Sequence, residues 1–327
     1  MRVVDLHNHF VAPEIVAFLE REGARYGTRI EERDGQRVFV IRDSAVRPLT
    51  AKISMPEPRL RDMDAAGVDV QAFSCVPFLM FPDVDSALAR TIAAINNDGL
   101  AAVAARHPER FVGLCSVPLQ DPPAAAKELE RAAGLGFRGV EVPPRLPGLD
   151  FDDPKLGVFW EAAEALRMVV CIHPFDAKPE GAMCRYALGN LVGNLYDTGL
   201  AAALLVYGGV LEQHPGLRVV LYHAGGAFPS LVGRLDKGYE IFPEARRAIP
   251  RRPSSYLERF WFDILAFDRM TLHQLIARFG ANRFVIGTDY PFPIGFDRPV
   301  DEVRALELAP ADEAAILGGN AAELLRL

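Results

Sequence analysis

Cysteine is scarce in this chain, and its spacing gives it no chemistry. Four occur in 327 residues, Cys75, Cys115, Cys171 and Cys184. No two form a CxxC pair, which argues against a zinc knuckle or a dithiol redox motif. Buried free thiols in a reducing cytoplasm are the expectation. No basic segment followed by an apolar stretch precedes the first motif, so no secretory leader is expected. No uninterrupted apolar run approaches the ~20 residues of a spanning helix. An excess of positive charge is missing too: 43 Asp and Glu against 36 Lys and Arg give a formal charge of −7. That balance argues against nucleic acid and against an anionic membrane surface as partners. It leaves a small-molecule substrate open, because a few local arginines override a net sign. Internal repeats, low-complexity tracts and linkers are also absent, so one domain over residues 1–327 is expected.

What is present is an ordinary globular composition, half hydrophobic and about a quarter charged. A chain of this length buries a large core without covalent staples. Eight short runs read as strands: VVDLH (3–7), VDVQAFSCV (68–76), FVGLCSV (111–117), FRGVEV (137–142), MVVCIH (168–173), LRVVLYH (217–223), RFWFDIL (259–265) and RFVIGTD (283–289). Most are apolar on both faces, as strands of a covered parallel sheet are. Helix-like stretches alternate with them at 87–107, 122–136, 154–167, 185–214 and 269–279, with further turns from 300 to 327. The stretch 122–136 begins with proline and ends with glycine, as helices often do. Eight strands alternating with helices predict a (β/α)8 TIM barrel. An open doubly wound sheet is the alternative, weakened by the lack of a Gly-rich phosphate loop after the first strand. Residues 24–56 break the alternation. They contain GQRVFVIRD, which reads as a small β-hairpin, then SMPEPRL, and form an insertion after the first strand.

The first strand ends in DLHNHF. Side chains alternate along a strand, so His7 and His9 project the same way. At the C-terminal end of a barrel strand, that direction is the mouth where barrels build their sites. Other strand ends add to the pair: His173 in CIHP, His223 in YHAGG, Asp289 in GTDYPFP. Of seven histidines, four sit at such ends. His107 and His214 precede prolines at helix ends, and His273 lies on a helix. Singly, each rim residue could be structural, His173 as a satisfied core imidazole and Asp289 as a turn cap. Together they read as one metal site. Imidazole and carboxylate suit Zn2+, with Mn2+ and Co2+ also accommodated. Asp289 could both bind metal and pass a proton. His223 could be a fourth protein ligand or a general acid/base.

DLHNHF, CIHP, YHAGGAFPSLVGR and GTDYPFP, in this order, resemble the amidohydrolase superfamily, and within it the amidohydrolase-related decarboxylases. RDMDAAGVDVQAFS (61–74), INNDGLA (95–101), RFVGLCSVPLQ (110–120), LGFRGVEV (135–142) and Gly319–Asn320 extend the likeness over almost the whole chain. The resemblance implies a distorted TIM barrel, one zinc ion, and His7, His9, His173 and Asp289 as its protein ligands. His223 is then the acid/base beside the metal. It further implies two arginines for substrate carboxylates. Arg42 is the better match for one, with Arg47 as fallback. Arg234 matches the other and reaches the neighbouring subunit's site, which implies a homodimer. The run YALGNLVGN (186–194) departs from the tryptophan-rich pattern of the muconate-semialdehyde branch, placing Asn190 where an aromatic residue is expected. Asn190 and Phe292 are candidate pocket residues, with Phe175 and Trp160 as further walls.

The resemblance therefore predicts a metal-dependent, non-oxidative decarboxylase without an organic cofactor, acting on a carboxylated muconate semialdehyde or a hydroxybenzoate-like acid. A metal-dependent hydrolase of a lactone, ester or amide is the alternative, since one ligand set serves both. A binding scaffold without turnover would be expected to lack a ligand, and every expected position is filled.

Overall fold

The computed structural model describes residues 2–42, 45–175 and 181–327. The strands in chain order are β1 (Val4–Phe10), β2 (Thr28–Arg33), β3 (Gln36–Ile41), β4 (Ala45–Pro48), β5 (Val70–Cys75), β6 (Phe111–Cys115), β7 (Gly139–Val142), β8 (Val169–Ile172), β9 (Arg218–Leu221), β10 (Phe260–Asp263) and β11 (Phe284–Val285). Eight of them form one parallel sheet in the order β1-β5-β6-β7-β8-β9-β10-β11. The ring is joined where β11 returns to β1: the Leu6 N–H donates to the Ile286 carbonyl at 2.9 Å and the His9 N–H to the Tyr290 carbonyl at 2.8 Å. All eight strands foreseen from the apolar runs are there, and the fold is a (β/α)8 barrel.

Alternate residues of a strand enter two different cores, which is why these segments are apolar on both faces. In β8, Val169 and Cys171 pack with Val4, Leu6 and Val220, whereas Val170 and Ile172 pack toward the helices with Trp160 and Phe228. The helix Ser86–Arg106 starts at Asp85, whose carboxylate accepts from the N–H groups of Ala87 and Leu88. Helix Arg269–Phe279 matches the expected 269–279 and is capped in the same way by Asp268.

The insertion differs from expectation. It is a three-stranded antiparallel sheet, β2-β3-β4, rather than a hairpin. The stretch after it, through Ile53, comes back over the rim of the barrel. Two helices flank the sheet, Pro13–Glu22 and Pro56–Ala66, each opening on a proline whose missing N–H needs no partner there. The expected long helix over 185–214 is divided into a π-helical turn Gly189–Gly193, the helix Asn194–Tyr207 and a last turn Val210–Gln213. The break falls at Gly208–Gly209, where Gly209 takes a left-handed φ of 73°. Among the described residues, no helix is long and apolar enough to cross a membrane.

Candidate metal centre

His7 and His9 face the barrel interior because β1 carries an irregularity. Its register against β5 shifts between Asp5 and Asn8, after which His9 lies level with Ser74 and Phe10 with Cys75. One extra residue lets Leu6 fill the lower core while His7 and His9 both reach the rim. Asn8 turns outward, where its side-chain carbonyl accepts from the buried Arg59 at 2.9 Å. His173 follows β8 directly, His223 lies just past β9, and Asp289 lies beyond β11. Both His223 and Asp289 take left-handed backbone, φ 56° and 57°. Gly287 precedes Asp289 by two. A Cβ there would lie 2.9 Å from that of His7 and 2.7 Å from that of Asp263, so only glycine lets the strand close.

The imidazoles converge. The His7 ring centroid is 5.1 Å from that of His9, 4.9 Å from His173 and 5.2 Å from His223. Asp289 lies among them. Its Oδ1 is 3.1 Å from Nε2 of His9, 3.3 Å from Nε2 of His7 and 3.9 Å from Nε2 of His173; its Oδ2 is 3.9 Å from Nε2 of His223. Single donor atoms of His7, His173, His223 and Asp289 all fall within 4.8 Å of one another. That tight set includes His223, which the resemblance assigned to acid/base work, while His9 adjoins it through Asp289.

The outer nitrogens tell these rings apart. Nδ1 of His7 donates to Asp263 at 2.7 Å, that of His9 to the Cys75 carbonyl at 3.1 Å, and that of His173 to the Pro174 carbonyl at 2.5 Å. A ring whose Nδ1 donates leaves its Nε2 lone pair for a cation. Nε2 of His7 and of His173 are indeed buried with no hydrogen-bond partner. His223 is different: among the described residues its buried Nδ1 has no hydrogen-bond partner, and its Nε2 faces Oδ2 of Asp289. The donor set therefore offers a divalent cation the group His7, His173, His223 and Asp289, with His9 adjoining it through Asp289.

Charge points the same way. Burial opposes charging His7, yet the hydrogen bonds and charges of Asp263 and Asp289 outweigh it and raise its pKa to about 10. Burial pushes His9 down to about 4 and holds His173 well below the ordinary histidine value. Burial also works against the Asp289 carboxylate, but the surrounding imidazoles hold it well below the usual carboxylate range. The cluster thus favours positive charge, which a bound dication would supply.

Sequence reasoning passed over several supporting residues. Asp263, at the end of β10, also accepts from the backbone N–H groups of His223 at 2.9 Å and Ala224 at 2.7 Å, tying β1 to the His223 turn. The one signal for it was an acidic residue after the apolar FWF of RFWFDIL. Tyr222 stacks on His7 at 3.7 Å with planes 5° apart. Below the rim, Glu141 accepts from Ser74 at 2.6 Å, and burial raises its pKa to about 8.

A cavity of about 540 Å³ opens above the cluster, lined by His173, His223, Asp289, Asn190, Phe292 and Arg47. Of the two arginine candidates in the insertion, Arg47 is thus in the site. Arg42, the better match from sequence, is not among the lining residues; its Nη2 donates to Asp83 at 2.6 Å. Phe292 packs near His9, centroids 5.3 Å apart. Arg234 is exposed on the helix Phe228–Ile241 and does not line its own chain's cavity. Trp160 is a core residue, its Nε1 donating to the Phe151 carbonyl at 3.2 Å. Phe175 lies against the Arg145 guanidinium and does not line this cavity.

A family model for amidohydrolases matches residues 4–327, and the chain belongs to that family. It is 31% identical over 328 residues to the 2-amino-3-carboxymuconate-6-semialdehyde decarboxylase of Dictyostelium discoideum, covering 99% of this chain and 91% of that protein. It is 30% identical over 290 residues to the gamma-resorcylate decarboxylase of a Rhizobium species, covering 84% and 88%. Among solved structures, the dihydroxybenzoic acid decarboxylase of a Polaromonas species, with bound manganese and the inhibitor 2-nitroresorcinol, superposes with a TM-score of 0.82 at 26% identity, covering 100% of this chain and 97% of that one.

Proposed function

We propose that this protein is a metal-dependent, non-oxidative decarboxylase of a carboxylated hydroxybenzoate-like or muconate-semialdehyde substrate. The observation that carries the reading is the convergence of three Nε2 atoms and Asp289 at one rim, beneath a cavity that also holds Arg47. His7, His9, His173 and Asp289 would hold the cation, with zinc suited to so imidazole-rich a set. The manganese of the Polaromonas relative makes that ion the competitor. When bound, the metal supplies Lewis acidity toward a substrate oxygen and water. Arg47 grips a substrate carboxylate, with a guanidinium's two-pronged geometry. His223, whose Nδ1 has no hydrogen-bond partner among the described residues, delivers the proton that takes the place of CO2 on carbon. Asp289 can relay it through the 3.9 Å approach of Oδ2 to Nε2. The exchange of CO2 for a proton needs no electron acceptor. Binding of the leaving carboxylate must not tighten the ground state more than the transition state.

The test is CO2 release from carboxylated dienes and dihydroxybenzoates by metal-analysed protein, run beside a lactone and ester panel. Acid release from the panel without CO2 would move the protein to the hydrolases.

A homodimer is part of the same reading. The helix Asn194–Tyr207 and the end of Phe228–Ile241 expose Tyr196, Leu200, Ile241 and Phe242, and Arg234 lies exposed on the second helix. That is apolar surface a partner would cover, with an arginine placed to reach the partner's cavity. Mixing Arg234→Ala with His223→Ala chains should restore activity that neither has alone. The buried thiols of Cys75, Cys115 and Cys171 suit a reducing, cytoplasmic setting.

A further inference from the structure

The space around the cluster has two lobes. Beside the cavity that holds Arg47 lies a second one of about 280 Å³, and the two share His223, Asp289, Asn190, Asn194 and Ile294. Among the described residues, no ionisable side chain other than the shared His223 and Asp289 lines the second lobe. Its floor and walls include Leu195, Pro229, Leu265 and Leu275. Three apolar side chains on its surface lack cover: Phe267 is 52% exposed, Leu191 48% and Ile294 43%. Exposed apolar side chains grouped in a concavity mark a binding surface.

We propose that the substrate carries an uncharged alkyl substituent, which this second lobe receives while the carboxylate faces Arg47. The inference rests on the decarboxylase reading for the carboxylate, and adds the chemistry of the opposite end. His223 and Asp289 line both lobes, so a substrate spanning the two has its reacting carbon beside them. Its charged end meets the guanidinium, and its apolar end meets leucines. A second charged group would find no partner in the lobe and would lose its hydration there. The size suits a short chain: an apolar cavity of roughly 150 Å³ already accepts benzene. Ala266, on the turn after β10, is one of the small lining residues.

The test measures binding, so it stands apart from turnover. Calorimetry on the metal-loaded protein compares resorcinol with its 4-pentyl and 5-pentyl derivatives as product-like probes. Each buried methylene is worth roughly threefold to fourfold in affinity. One pentyl derivative should therefore bind at least about thirtyfold tighter than resorcinol, allowing for incomplete burial. Ala266→Phe, which fills the lobe, should reduce that gain below about threefold. Ser230→Phe, an exposed lining position on the helix Phe228–Ile241, gives the same result if the first variant does not fold. Equal affinity for the three probes, no binding of either pentyl derivative, or a gain retained in both variants overturns the proposal. CO2 release from a carboxylated parent compound is read separately. It can fail while the lobe still binds alkyl groups, and it can succeed while the lobe does not.

Discussion

Replacing Asp263 with asparagine should loosen the metal centre while leaving every ligand in place. The Oδ2 of Asp263 accepts from Nδ1 of His7 at 2.7 Å and from the His223 N–H at 2.9 Å; its Oδ1 accepts from the N–H groups of Ala224 at 2.7 Å and Leu265 at 3.1 Å. Asparagine keeps the shape but has one acceptor oxygen. Whichever way the amide turns, its NH2 faces donors. Turned toward Ala224 and Leu265, it strands two buried N–H groups, a loss of roughly 1–3 kcal/mol each. Turned toward His7, it forces the ring to accept at Nδ1, which moves the proton to Nε2, the atom that must bind metal. Partners of this kind are typically worth about 10–100-fold in metal affinity. We expect the Kd for manganese or zinc to weaken by about that factor, with a smaller loss of turnover at saturating metal. Competition with a chromogenic chelator measures the affinity, and a thermal melt shows that the variant is folded. A folded variant with wild-type metal affinity would refute the assignment of His7 Nε2 as a ligand oriented by Asp263.

Four further substitutions separate the roles around the cluster and its cavity. His223→Ala should keep its metal but lose about 100- to 10,000-fold in kcat, the usual worth of a general acid or base; unchanged turnover removes it from the proton path. Arg47→Lys should raise KM about tenfold or more with a smaller change in kcat, because the two-pronged grip is lost. Arg42→Lys should alter neither, since that side chain is engaged with Asp83; the reverse pattern would restore Arg42 to the site. Glu141→Gln should flatten the pH dependence of stability in metal-free protein. The folded pKa of Glu141, about 8, lies above the ordinary value of 4.5, so its contribution is full below about 4.5 and is lost as pH rises through 8. Between pH 6 and 8 that loss is about 2 kcal/mol. Urea midpoints at the two pH values should differ less in the variant than in the wild type, and an equal difference would mean that Glu141 is ionised throughout.

Much of the barrel was legible because each strand is a short apolar run ended by a turn, and covered parallel strands have that composition. The insertion was read less fully. Its third strand, Ala45–Pro48, is four residues long and ends in proline, so it carries no strand pattern of its own. It survives as an edge strand because only β3 pairs with it, from Val38↔Pro48 to Ile41↔Ala45. That pairing also separates the two arginines. Arg47 lies opposite Phe39 in the sheet, whereas Arg42 comes after the last β3 residue. Five positions in sequence put them in different surroundings, and neither composition nor periodicity reveals which one reaches the cavity.

The imidazoles were visible because histidine is rare and four of seven stand at strand ends. Their supports were not, since the groups that orient His9 and His173 are main-chain carbonyls, which no residue type announces. Alternation also explained less than it seemed to. His7 and His9 share a face at period two, but strict alternation would then turn Leu6 away from the barrel interior, and it packs there with Val4, Ala72 and Val220. Only the register shift between Asp5 and Asn8 reconciles an apolar floor with a histidine rim on one strand of seven residues. The same shift points Asn8 outward to Arg59. Arg59 is itself locked to Gln71 at 2.8 Å and, through Gln71, to Asp5. A buried arginine among neutral amides and one carboxylate is costly in isolation. Here it holds the irregular stretch of β1 in place, so the geometry of the metal rim depends on a polar network on the opposite side of the strand.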